Sequence, residues 1–202
     1  MAKARTLVEG ERFLHKDLWR VVERQLEHAT AMPTGAFYDD LVAMVFALHA
    51  LEAYLNFIGE RVAPDIWKDE REYFRREPYR GFDGKVRKVL ELVGITEPPR
   101  DVRPYSTVWL LKDLRDLIAH AKPIRFAGVV EHSVSEEPAP PRSPLRDVVT
   151  HENAERARDD VQTFADTIHA AALPKVRDDI WFGTRAFGGT FQYSSSHTTT
   201  AT

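Results

Sequence analysis

The sequence predicts an all-α fold: an antiparallel helical bundle with a small extended or hairpin insertion and a flexible C-terminal tail. Three observations predict it. Apolar residues recur at spacings of three, four and seven through most of the chain, and proline or glycine punctuates the gaps between these stretches. One stretch, Leu41 to Ile58, is apolar nearly all round, the pattern of a helix covered on every side. With 43% hydrophobic and 10% aromatic residues, the 202-residue chain has enough apolar mass for a sizeable core. A single helical domain is expected over residues 1–183, with residues 184–202 as a disordered tail.

The first amphipathic stretch, residues 6–29, carries Leu7, Leu14, Leu18, Val21, Val22 and Leu26 on one face, and Pro33 ends it. Thr34 is placed to cap the next helix, 35–62, which Pro64 closes. Residues 65–80 read as a short, highly charged helix; Asp83 caps a helix to Val93, and Gly94 terminates it. A helix over 104–121 has proline in its first turn and Pro123 just past its end. Residues 123–149, with the proline-dense EEPAPPRSP, read as two extended segments around a loop. Thr150 caps the last long helix, 151–173, whose inner face holds Ala154, Ala157, Val161, Phe164 and Ile168. A turn containing Ile180, Trp181 and Phe182 is expected to dock, and from Gly188 onward the composition is that of a tail.

Charge and composition narrow the function classes. With 28 Lys plus Arg against 31 Asp plus Glu the net charge is −3, so no global positive field draws the molecule onto nucleic acid and any such contact must be local. The absence of cysteine excludes disulfides, thiolate metal sites and thiol nucleophiles. The longest uncharged apolar run is about half the ~20 residues that a bilayer crossing needs, and no secretory signal opens the chain. No membrane association and a cytoplasmic location are the expectations. No P-loop, G-x-G-x-x-G or G-x-S-x-G string is present. His151 and Glu155 share a helix face but have no third ligand, so neither metal nor cofactor is expected.

Two features invite a functional reading beside a plain one. On the apolar central helix, His49, Glu52 and Asn56 fall within about 60° of one another at ~100° per residue, a narrow polar stripe. Either Glu52 and Asn56 bond loop backbone or a neighbouring arginine, or they support a site on the helix packed against them. Between Lys68 and Lys88, eight basic and five acidic residues are interleaved with Tyr73, Phe74, Tyr79 and Phe82. This is either a solvated, charge-laced face or a surface for phosphates and stacked bases.

The stretch WLLKDLRDLIAHAKP divides into two faces. Leu110, Leu111, Leu117 and Ile118 lie within about 60° of Leu114, while Lys112, Asp113, Arg115, Asp116 and His120 take the opposite arc. Arg115 and His120 stand about 140° apart, at the two margins of that arc, so one chain does not easily bring both to one atom. Asp116, one turn before His120, is spaced to orient its imidazole.

Arg115-Asp116-Leu117-Ile118-Ala119-His120 resembles the R-x4-6-H motif of HEPN (higher eukaryote and prokaryote nucleotide-binding) domains, including the polar residue directly after the arginine. The helix holding ALEAYLN is similar to that family's second helix, where an acidic residue and an asparagine, here Glu52 and Asn56, face the motif. The resemblance spans roughly residues 8–173. It implies a metal-independent endoribonuclease, with Arg115 and His120 catalytic, Asp116, Glu52 and Asn56 supporting, and Lys112 and Lys122 contacting RNA. It further implies a homodimer whose two motifs meet in one composite cleft, in an anti-phage or toxin setting with an antitoxin or nucleotidyltransferase partner. The position two residues after the histidine, where many such toxins carry a modified tyrosine, is Lys122 here. Two alternatives stand beside the nuclease: a catalytically inactive HEPN-like binding or assembly module, and a helical dimer that uses Arg115 and His120 only as interface hydrogen-bonders.

Overall fold

A computed structural model describes residues 5–120, 143–176, 185–188 and 193–200, together with Pro123, Arg125, Val129 and Glu131. In chain order the elements are β1 (Arg5–Arg12), α1 (Leu14–Ala31), α2 (Ala36–Val62), α3 (Pro64–Lys68), α4 (Glu70–Tyr73), α5 (Gly81–Val93), α6 (Tyr105–Ala119), α7 (Pro144–Val148), α8 (His151–Ala172) and β2 (Tyr193–Thr200). The predominantly helical class agrees with the sequence.

Helix α2 is the axis. Met44, Leu48, Leu51, Tyr54, Leu55 and Ile58 are fully buried, and α1, α8, α5, α6 and α3 pack on it. Val42, Val45, His49, Glu52 and Asn56 follow one stripe that is only partly buried, so the helix is not covered on every side as its sequence predicts. Among the described residues α2 is the one helix long and apolar enough to cross a membrane by length and composition. Here those apolar side chains form the centre of the hydrophobic cluster. Helix α1 supplies Trp19, Val22, Leu26 and Ala29, and α8 supplies Ala157, Val161, Phe164 and Ile168. The small alanines on α8 let it lie close against its neighbours, as the spacing expects. Thr150 caps α8 as predicted, its hydroxyl accepting from the Asn153 backbone N–H at 3.2 Å. Gly94 ends α5 in the left-handed region at φ +82°, also as predicted.

Several boundaries differ from the sequence reading, each for a local reason. The first helix begins at Leu14 rather than residue 6, because β1 precedes it; a helix running through Gly10 would carry that residue's helix-breaking cost. Helix α2 is entered through Gly35 at φ +90°, and no side chain caps it, so Thr34 is not the cap. The charged stretch 65–80 is two short pieces, α3 and α4, broken at Asp69. Asp83 lies inside the first turn of α5 rather than capping it. Pro144–Val148, expected to be extended, is helical. The rest of the proposed insertion lies largely outside the described residues, as do Ile180, Trp181 and Phe182.

The expected tail contains a strand: β2 pairs antiparallel with β1 over their full length, from Arg5 opposite Thr200 to Arg12 opposite Tyr193. The threonine-rich run SSSHTTT suits an extended chain, since β-branched residues favour strands. Just before it, Phe187 stacks on Trp19 with ring centroids 4.3 Å apart at 11°, so aromatic packing reaches past the helical part of the chain. That stack borders a buried polar spot. His15 is 2% exposed and sits among Phe57, Tyr54 and Phe13. Burial, with the nearby charges of Lys16 and Arg61, pushes its imidazole down to about 3, so it is held neutral.

Candidate functional site

Helix α6 positions the motif. Its buried face is Tyr105, Val108, Leu111 and Leu114, packed on α2 and α8. The sequence reading put Leu110, Leu117 and Ile118 on that face too, and this is corrected: they are 40%, 47% and 37% exposed. For Leu117 and Ile118 the physical reason is their place in the last turn. No residue beyond Leu114 in α6 is buried, so the last turn projects past the core and its apolar residues stay uncovered. Leu110 and Leu117, seven residues apart, form an exposed stripe on one side of the helix.

Arg115 points the other way, toward α2. Its guanidinium is half-buried, with Nη1 3.8 Å from Glu52 Oε2 and Nε 2.9 Å from Asp116 Oδ1. The second contact is a charge contact without hydrogen-bond alignment, since Nε is a buried donor with no aligned acceptor. Phe82 of α5 lies beneath, its ring centroid 6.0 Å from the guanidinium carbon. Glu52, singled out on the polar stripe of α2, is therefore brought to the motif arginine.

The other predicted members are placed differently. His120 is the residue on which α6 ends; its backbone N–H donates to the Asp116 carbonyl at 3.0 Å, and the residue is exposed. No side chain among the described residues hydrogen-bonds its imidazole. Asp116 does not orient that ring, contrary to the spacing argument. Its Oδ2 accepts from Lys112 Nζ at 3.0 Å while Oδ1 meets Arg115. The Lys112 hydrogen bond, against a smaller opposing effect of burial and with the added charge of Arg115, holds the Asp116 carboxyl below its ordinary range. Lys112, expected to contact RNA, is thus tied to Asp116 and lies 3.9 Å from Asp83. Asn56 does not face the motif either: its Oδ1 accepts from Trp67 Nε1 at 3.3 Å, fastening α3 to α2. His49 packs edge-on against Phe46. Lys122 lies outside the described residues.

Two polar groups escaped the sequence reading. Lys85, 7% exposed, donates to Glu70 Oε1 at 2.6 Å and Glu52 Oε1 at 3.4 Å. It lies within the charge-laced stretch 68–88, yet its spacing from Phe82 and Val89 puts it on the buried face of α5. Asp160 of α8 is buried and accepts two bonds from Arg103 at 2.8 Å each and one from Thr107 at 2.5 Å. Burial alone would raise the Asp160 carboxyl; the Arg103 and Thr107 bonds prevail and hold it low. No periodicity foretells that pairing, which joins positions 57 residues apart.

Around the motif, then, charges alternate in sign along one chain of contacts from Glu70 through Lys85, Glu52, Arg115, Asp116 and Lys112 to Asp83, where Arg100 closes it at 3.2 Å. A guanidinium held by its Nε and one Nη keeps donors for an incoming anion, because the group carries five N–H bonds. The residue whose side chain could move protons, His120, is exposed just past the end of the helix. Among the described residues no group of histidines and carboxylates is arranged to hold a metal ion. No protein family, curated protein or solved structure matches the chain.

Proposed function

We propose that the chain is a metal-independent endoribonuclease of the HEPN type, acting at a composite site in a homodimer. The observation that carries this reading is the disposition of α6. Arg115 is held on one side by Glu52, His120 is exposed at the end, and Leu110, Leu117 and Ile118 are left uncovered on another side of the helix. A second copy packing across the exposed last turn of α6 buries apolar area worth ~25 cal/mol per Å² and brings a second motif, with its exposed His120, up to the first. Arg115 of one protomer then serves near His120 of the other, which removes the difficulty that the two diverge within one chain.

The chemistry follows from the residue types. An imidazole takes the proton from a ribose 2′-hydroxyl as that oxygen attacks the adjacent phosphorus. The second protomer's imidazole protonates the departing 5′-oxygen. Arg115 faces the phosphorane and neutralises the charge that builds on its equatorial oxygens. The products are a 2′,3′-cyclic phosphate and a 5′-hydroxyl, and only RNA supplies the internal nucleophile. Cytoplasmic RNA as target, and a partner protein that restrains the enzyme in a toxin or defence setting, belong to the same proposal.

The test is incubation of wild type, Arg115→Ala and His120→Ala with a mixed RNA pool in EDTA, with product ends mapped and the oligomeric state measured by sedimentation. Cleavage by the wild-type dimer to cyclic phosphate ends, lost in both folded variants, is the expected result. Cutting that requires magnesium, or that survives His120→Ala, sinks the mechanism. A dimer that binds RNA without cutting it leaves the assembly-module reading in its place.

A further inference from the structure

Lys85 is the most deeply buried charge in the contacts around Arg115. Its side chain is 7% exposed, and its ammonium group lies 5.8 Å from the Phe74 ring centroid as well as against Glu70 and Glu52. Glu52 gives one oxygen to Lys85 and turns the other toward Arg115. One carboxylate is therefore shared by two cations from two different helices.

We propose that Lys85 is a positioning residue for Arg115: it fixes Glu52 and takes up its charge, leaving the guanidinium's positive charge for a phosphate of single-stranded RNA. The choice of RNA as the ligand rests on the ribonuclease reading above. The charge arithmetic runs through the chain of contacts. Glu70, Lys85, Glu52, Arg115, Asp116 and Lys112 alternate in sign, so the six sum to zero and Arg115 is not over-matched by the carboxylates on its two flanks. Without Lys85, Glu52 has Arg115 as its single remaining cation, and the guanidinium is matched by two carboxylates, Glu52 and Asp116, with less of its charge left for an approaching phosphate. At this depth such a change is not screened as it would be in bulk water. The placement also has a mechanical side, because Lys85 on α5 locks the rotamer of a residue on α2 that in turn holds a side chain on α6.

The experiment measures binding apart from cutting. The probe is a fluorescein-labelled, mixed-sequence oligonucleotide with 2′-O-methyl groups, which has no nucleophile and stays intact. Its affinity is read by anisotropy for the full chain and for Lys85→Met, Lys85→Arg, Glu52→Gln and the Glu52→Gln/Lys85→Met pair, with a thermal melt of each to establish the folded fraction. Methionine keeps the apolar stem that packs in the core. The expected result is a loss of about tenfold for folded Lys85→Met, with Lys85→Arg within about threefold of wild type. Because Lys85 acts through Glu52, its removal in the Glu52→Gln background changes affinity by less than about threefold. That comparison stands even if Lys85→Met alone does not fold. Wild-type affinity in folded Lys85→Met, a tenfold loss that persists in the Glu52→Gln background, or no binding by the wild type overturns the proposal. Ordinary RNA tested alongside in EDTA keeps the two readings apart: a wild type that binds but never cuts removes the nuclease and leaves the role of Lys85 standing.

Discussion

Gly59→Ala is a substitution for which general helix propensity and this structure predict opposite signs. In a helix, alanine for glycine ordinarily stabilises by about 1 kcal/mol. Here the added methyl carbon would lie 1.9 Å from Trp67 Cε2 and 2.1 Å from Cζ2. The indole is 6% exposed, sits edge-on to Phe74 at 5.2 Å and donates to Asn56 at 3.3 Å. It cannot give by a few tenths of an ångström; it must leave. Losing the Asn56 bond costs about 1 kcal/mol, and displacing the ring from its site costs a large part of the ~3–5 kcal/mol of a buried tryptophan truncation. Set against the propensity gain, the net loss is about 2–4 kcal/mol. Urea denaturation followed by far-ultraviolet circular dichroism measures it for wild type, Gly59→Ala, Trp67→Ala and the double variant. Once Trp67 is gone the obstacle is gone, so Gly59→Ala should then stabilise by roughly 0.5–1 kcal/mol. A neutral or stabilising Gly59→Ala in the otherwise wild-type protein would refute the assignment of Asn56 and Trp67 as the clasp between α2 and α3.

Two further predictions concern buried polar groups. The His15 imidazole is depressed to about 3 by burial and by the charges of Lys16 and Arg61, so the unfolded chain binds a proton at this position below pH ~6.5 while the folded one does not. Its effect is absent above that pH and grows as the pH falls toward 3, reaching about 2 kcal/mol of lost stability near pH 5. His15→Phe should flatten the dependence of stability on pH between 6.5 and 4.5 in urea titrations, and an unchanged slope would count against a neutral buried ring. At the Arg103–Asp160–Thr107 cluster, Arg103→Ala should lower the urea midpoint more than Asp160→Ala does. The first strands a buried carboxylate, whereas the second leaves Thr107 short of an acceptor and lets Arg103 turn to solvent. The reverse order would show that Asp160 is solvated in the folded state.

The parts of the fold legible in the sequence are those that single-element physics determines. The central place of α2, the threonine cap of α8 and the glycine stop of α5 each follow from one stretch of chain and are found in place, although one stripe of α2 is only partly buried. What escaped depends on neighbours. Leu110, Leu117 and Ile118 obey the helical period, but whether they are covered depends on which sides of α6 other elements pack against, and no local pattern contains that. Glu52 could be read as a supporting group because a charge on an otherwise apolar helix needs a partner, and Arg115 is one. Asn56, on the same stripe, found a different partner because α3 folds back over that turn of α2. Asp116 satisfied the spacing to His120, yet two cations, one of them adjacent, outcompete a ring that lies beyond the helix end. Spacing gives opportunity, and local electrostatics chooses among the opportunities.

The ribbon formed by the first and last strands has a mechanical consequence. Arg5 faces Thr200 at its outer end, and Arg12 faces Tyr193 where the chain turns toward the helices. A load drawing Arg5 and Thr200 apart therefore acts on one rung of the ladder at a time, as a zipper opens from its slider, rather than shearing all rungs together. In an optical trap gripping both termini, the ribbon should part at low force as a separate first event, before the helices yield.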